Sequence, residues 1–206
     1  MRKASLIIFA ILFVVLAAPK AQADSTYTNL SLWQAAAPTY TETSNLGVSN
    51  GAFVSSATLA DGTNLNFNQT LQVVSIGAGW GTWSGGYTGQ VLESYGTGSP
   101  LTMETWSIAP TSAFGMFLEP DQYSSFLITV MLNTGATISQ DVVGNSGASF
   151  FGWTGSDVTG VTITSSTDFA AGDFVSSPIV TPEPGSITLV LSGLALLGSM
   201  MVFRKP

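Results

Sequence analysis

The chain has 206 residues, 12 acidic and 5 basic, with no His and no Cys, and a formal net charge of −7. Disulfides, thiol nucleophiles and imidazole catalysis are therefore excluded. All five cations lie near the ends (Arg2, Lys3, Lys20, Arg204 and Lys205), so the chain between them cannot neutralise a phosphate backbone, which excludes nucleic acid as a partner.

The N-terminus begins with the basic pair Arg2 and Lys3. An apolar run follows from Leu6 to Ala18, and then the small-residue site Ala21-Gln22-Ala23. This is the layout of a secretory signal peptide cut after Ala23, spanning 1–23. A retained N-terminal anchor is the alternative; the shortness of the run and the A-x-A after it favour removal. The Sec translocon and signal peptidase are the partners this implies.

From 24 to 179 the chain is rich in Gly, Ser, Thr and Asn and reads as one exported domain. "LSLWQAAAPTY" is the single helix candidate, ended by Pro38. "TLADGTNLNFN" carries the hairpin dipeptide Asp61-Gly62, after which Leu65 and Phe67 alternate with Asn64, Asn66 and Asn68. "LQVVSIG" and "LTMETWSIA" are predicted strands. In "SFLITVMLNTGATISQDVV", Phe126, Ile128, Val130 and Leu132 share one face, and Asn133-Thr134-Gly135 makes a turn. Val161 and Ile163 point inward, with Thr162 and Thr164 outward. Many short strands between Gly-rich turns predict an all-β fold, an antiparallel β-sandwich or jelly-roll-like domain. No internal repeat points to a propeller or solenoid.

Several groups in this domain have chemistry to offer. "GAGWGTWSGGYTG" places Trp80, Trp83 and Tyr87 among glycines, and flat amphipathic rings suit stacking on sugar faces. The competing reading folds the same rings back as core. Asp157, Asp168 and Asp173 offer oxygen ligands for a structural Ca²⁺, although no EF-hand spacing is present. Otherwise they are solvated turn carboxylates, and no cofactor is expected. Glu93, Glu104, Glu119 and Asp121 are the carboxylates from which a glycosidase would draw its pair, but nothing in their spacing fixes one. The Asn64, Asn66, Asn68 and Thr162, Thr164 ladders are too short for the long flat array that ice binding needs. Asn29 and Asn68 match a glycosylation sequon without further support.

The C-terminus carries "TPEPGS" and then an uninterrupted apolar run, Ile187 to Phe203, closed by Arg204 and Lys205. As a helix the run rises ~26 Å, close to the ~30 Å of a hydrocarbon core. The terminal cations orient it with the domain across the membrane. Pro182, Glu183 and Pro184, then a Gly/Leu span, then a short basic end resemble the PEP-CTERM sorting signal, here 180–206. The basic cluster is shorter than in many relatives.

That resemblance implies recognition of the tail by an exosortase, which cuts near the motif. It also implies inner-membrane tethering through the C-terminal helix before processing, and cell-surface or extracellular placement after it. An association with exopolysaccharide or biofilm follows in the same way. "SAFGMFLEP" to "DFAAGDF", roughly Ser112 to Phe174, is similar to the globular domains that precede such tails, which resemble carbohydrate-binding jelly rolls. The expectation is a non-enzymatic exported surface or matrix protein. The alternatives are a lectin-like module with structural calcium and a carboxylate-based glycosidase.

Overall fold

The computed structural model describes residues 25–179 apart from 97, 98, 146, 156 and 157. The signal peptide with Ala21 and Ala23, the motif Pro182-Glu183-Pro184, the span 187–203, Arg204, Lys205 and Asp157 all lie outside the described residues. Among the described residues no helix is long and apolar enough to cross a membrane.

The elements in chain order are β1 (Ser25–Tyr27), α1 (Leu30–Ala36), β2 (Thr41–Thr43), β3 (Phe53–Thr58), β4 (Asn64–Ile76) and β5 (Gly79–Trp80). Next come β6 (Gln90–Glu93), β7 (Tyr95–Gly96), β8 (Ser99–Pro100), β9 (Met103–Ile108) and β10 (Thr111–Pro120). The last five are β11 (Ser125–Leu132), β12 (Thr137–Val143), β13 (Ser149–Thr154), β14 (Gly160–Thr164) and β15 (Phe169–Pro178). All but β7 and β8 join one sheet in the order β1-β13-β10-β15-β6-β4-β9-β14-β11-β12, with β2 added to β15 and β3 and β5 added to β4. The pairings are antiparallel except for the short β4–β5 contact. The fold is thus all-β and antiparallel, curved nearly into a barrel.

Alternation creates the core. Along β9, Glu104, Trp106 and Ile108 are buried while Met103, Thr105 and Ser107 are exposed. Along β11, Ile128, Val130 and Leu132 point inward, as the sequence predicts, and β14 buries Val161 and Ile163. The β11–β12 hairpin turns where expected, with Gly135 at φ 91 supplying the left-handed conformation that the turn requires. Inside, Phe114 stacks on Trp153 at 5.0 Å, and Phe174 lies 6.3 Å from both Trp106 and Phe114. Burying Phe114 or Phe174 stabilises the fold by about 2 kcal/mol each.

The sequence predicts two separate strands within 64–76, but the structure has one. Its first half pairs with β9 (Leu65↔Ile108) and its second with β6 (Gln72↔Glu93). A register shift in β3 between Val54 and Ser56 lies along the same strand. A long strand that changes partners, bent at a bulge, carries one sheet around a corner. The helix α1 forms as predicted. Asn29 Oδ1 accepts from Leu32 N at 3.1 Å to cap it, and Trp33 Nε1 donates to Trp153 O at 3.0 Å to dock it on β13.

Candidate functional site

β15 runs between β10 and β6, and then its second partner changes. Residues 170–172 pair with β6 and 174–176 with β2. At the changeover, Gly115 faces Val175 while Phe117 faces Gly172, so Asp173 and Phe174 stand opposite Met116 alone. This is a β-bulge, and its residue Asp173 has φ 49, the one positive φ outside glycine among the described residues. Bulges of this kind re-aim a side chain where regular pairing ends. Here one residue of the expected calcium set takes a backbone conformation that most side chains avoid.

Beside this changeover lies an open recess of about 540 Å³. The chain leaving β2, the chain entering β6 and the end of β4 line it with Ser44, Asn45, Ser75, Tyr87, Thr88 and Gln90. Tyr87 is half-buried at its wall. Its hydroxyl donates to Gln90 O at 2.7 Å, with Ser44 O at 3.3 Å as a second acceptor. Burial pushes this phenol up to about 12; a backbone hydrogen bond from Asp173 opposes the shift and the Asp173 charge adds to it. Desolvation also raises the Asp173 carboxyl, and the nearby Glu42 raises it further. Gly89 is required at the rim, because a methyl group there would overlap Ser44 O and the Tyr87 ring.

The tryptophans of the same loop do not form the exposed platform that sugar stacking needs. Trp80 and Trp83 are buried with Val74, Val91, Ala148 and Ala170. Trp80 is held there by Glu119, a fully buried side chain on β10, whereas the Trp83 indole N–H is buried without a partner. Glu119 accepts from Trp80 Nε1 at 3.3 Å, Thr82 Oγ1 at 3.0 Å and the Gly147 N–H at 3.3 Å. The acid pins the aromatic loop and the 147 region to one sheet face. Of the three predicted rings, only Tyr87 retains access to the recess.

The carboxylates gather further along that face. Glu119 and Glu93 both pair across to Ala170, so they share a face two strands apart, about 10 Å between backbones at ordinary strand spacing. Asp121 follows β10 and Asp168 precedes β15, joined by the hydrogen bond from Asp121 N to Asp168 O at 3.0 Å. Glu93 is raised to about 7, first by desolvation and then by the charges of Asp121 and Asp168. Desolvation and Asp168 raise Asp121 in the same sense. Asp168 also accepts from its neighbour's Thr167 Oγ1 at 2.9 Å.

Of the three expected calcium residues, the two that are described stand at different places. Asp168 belongs to this acidic end and Asp173 to the bulge. Among the described residues no three His, Cys, Asp or Glu side chains are grouped as metal ligands.

Sequence reasoning passed over Tyr123, whose ring is 72% exposed and whose hydroxyl stands over Gly81. A Tyr in the polar turn "DQYSS" between two strands was the available signal. The Asn64, Asn66 and Asn68 ladder is on the exposed side of β4, and Asn68 Oδ1 accepts from Thr105 N at 2.9 Å.

Comparisons with known proteins add little to this geometry. No family model matches the chain, and no curated protein matches it. One similar solved structure is the enzymatically active domain of the bacteriophage CBA120 tailspike protein 4. It is 14% identical over 57% of this chain and 19% of that chain, with a TM-score of 0.28. A likeness that slight supports no statement about fold or activity.

Proposed function

We propose that the chain is an exported surface or matrix protein whose jelly-roll-like domain binds extracellular polysaccharide without catalysing a reaction. In this reading the signal segment 1–23 delivers it, the tail 180–206 tethers it to the inner membrane, and an exosortase processes it near Pro182-Glu183-Pro184. The order of motif, apolar span and basic end supports the sorting route. The observation that carries the binding role is the recess beside the β15 bulge. Its wall offers hydroxyls, amides and one tyrosine, the groups that pair with sugar hydroxyls and ring faces. No cation stands anywhere in 25–179, which disfavours polyanionic glycans and favours neutral ones.

The test is binding of the exported full-length chain to a panel of neutral and acidic glycans, beside a Tyr87→Ala/Thr88→Ala double variant. Binding to a neutral polymer that weakens at least tenfold in the variant supports the reading. Equal binding by both proteins, or none by either, removes it. For the tail, Glu183→Ala or truncation from Ile187 changes the mature mass and the membrane fraction. Variants identical to wild type in both respects rule out sorting.

The acidic end favours a second reading, carboxylate-based glycan hydrolysis, because Glu93 holds its proton to about 7 beside Asp121. Release of reducing ends from a bound polymer, lost in Glu93→Gln, distinguishes this from simple binding.

A further inference from the structure

Glu104 is the one charged-type residue on the inner face of β9, between the core side chains reached by Trp106 and the start of the strand. It has no exposed surface, and neither carboxylate oxygen has a hydrogen-bond partner. The Trp106 Nε1 two residues along is equally unpartnered. The neighbouring strands offer the carboxylate no cation or donor. The flanking strands β4 and β14 contain no acid, base or tyrosine, and β14 places Ile163 directly opposite. Across the core, β15 meets the β9 face through Phe174 against Trp106. The carboxyl is raised to about 7 by desolvation alone, with no charged neighbour contributing.

An ionised carboxylate in that position must reach water, and the route is short. Thr102 and Met103 just before it are exposed. The 101–103 segment is held by the pairing of Met103 with Thr164 and by a small set of further bonds. Leu101 N donates to Ser94 O at 2.7 Å, Ser94 Oγ to Leu101 O at 2.9 Å, and Ser165 N to Thr102 O at 3.0 Å. Gln69 Nε2 reaches Met103 O at 3.5 Å. Freeing the acid also unzips the first pairs of the β9–β14 ladder, Met103↔Thr164, Glu104↔Ile163 and Thr105↔Thr162, together with the bond from Thr105 N to Asn68 Oδ1 at 2.9 Å.

We propose that Glu104 is a proton-controlled latch on the entry to β9: neutral, it lets the strand close over the core, and ionised, it forces the 101–105 segment open. The domain is then closed in acidic surroundings and locally open in alkaline ones. The latch touches the acidic end through Ser94, which bonds Leu101 on one side and Phe169 on the other, so the Glu104→Gln variant is the arm that separates the two groups of acids.

The test is amide hydrogen exchange of the full-length chain at pH 5 and pH 8, corrected for intrinsic exchange chemistry. Protection across 101–106 falls on the order of 100-fold from pH 5 to pH 8 in wild type, and by less than about threefold in Glu104→Gln. An equal fall in both proteins overturns the proposal. A second measurement covers the case in which the variant does not fold. The chain has five Glu, so side-chain ¹³C labelling of glutamate gives five carboxyl signals in wild type. A Glu104 signal titrating near 7 supports the latch, and one titrating in the ordinary range near 4 to 5 overturns it.

Discussion

Glu119 and Glu104 are both fully buried glutamates in a domain without a single cation, yet their surroundings differ in one respect. Around Glu119 the chain supplies an indole N–H, a hydroxyl and a backbone N–H, and two loops are organised on the carboxylate. Around Glu104 it supplies hydrocarbon. Burial alone therefore does not decide what an acid does. The donors brought to it decide whether it is a fastening or a point of tension.

The largest effect that would sharpen this contrast is Glu119→Leu. Three donors lose their acceptor at once, so denaturant unfolding is expected to show a loss of about 3 kcal/mol or more. It should also show increased Trp fluorescence quenching as Trp80 is freed. A variant as stable as wild type would mean that the carboxylate fastens nothing.

The next effect concerns pH. Glu93 and Glu104 hold their protons to about 7 when folded, against an ordinary value of 4.5, and Asp121 and Asp173 are shifted the same way. Between those limits the folded state keeps protons that the unfolded chain has released. Stability therefore falls as pH rises from about 4.5, and the loss is complete above about 7. Glu93 is partly exposed and contributes the smaller share. Thermal unfolding at pH 5 should exceed that at pH 8 by about 2 kcal/mol of stability. A higher melting temperature at pH 8 would contradict the burial described for both acids.

The smallest effect lies away from either glutamate. Asn29→Ala removes the cap of α1 and should cost about 1 kcal/mol, read from the same unfolding curves at both pH values alike. A cost that varied with pH would tie the helix to the titrating groups, which the structure keeps apart.

Much of the fold is legible in the sequence because its causes are local. Asp61-Gly62 and Asn133 to Gly135 set their hairpins through turn geometry, and the Leu30–Ala36 helix is bounded by Asn29 and Pro38. Strand order is not local. Nothing near Phe169 announces that β15 will lie between β10 and β6, because its partners there, from Pro120 on one side to Glu93 on the other, are far away in the chain. The site divides in the same way. Tyr87 could be singled out as an aromatic among glycines. The inward packing of Trp80 depends on an acid 39 positions away in the chain. Sequence reasoning offers Glu104 only as one of the carboxylates open to a glycosidase pair. The signal for its burial is available in "METWSI", where it alternates in step with Trp106 and Ile108, but its charge argues for the surface.

The position of β15 has a consequence for how the molecule is made. Ribosomes deliver this strand after every other one described, and it fills the slot between β10 and β6 while also seating β2. Until it emerges, the nascent chain holds two unmated sheet edges and cannot close its interior. Closure therefore waits for the last of the described strands. A circular permutant that moves β15 to the front would lose that delay.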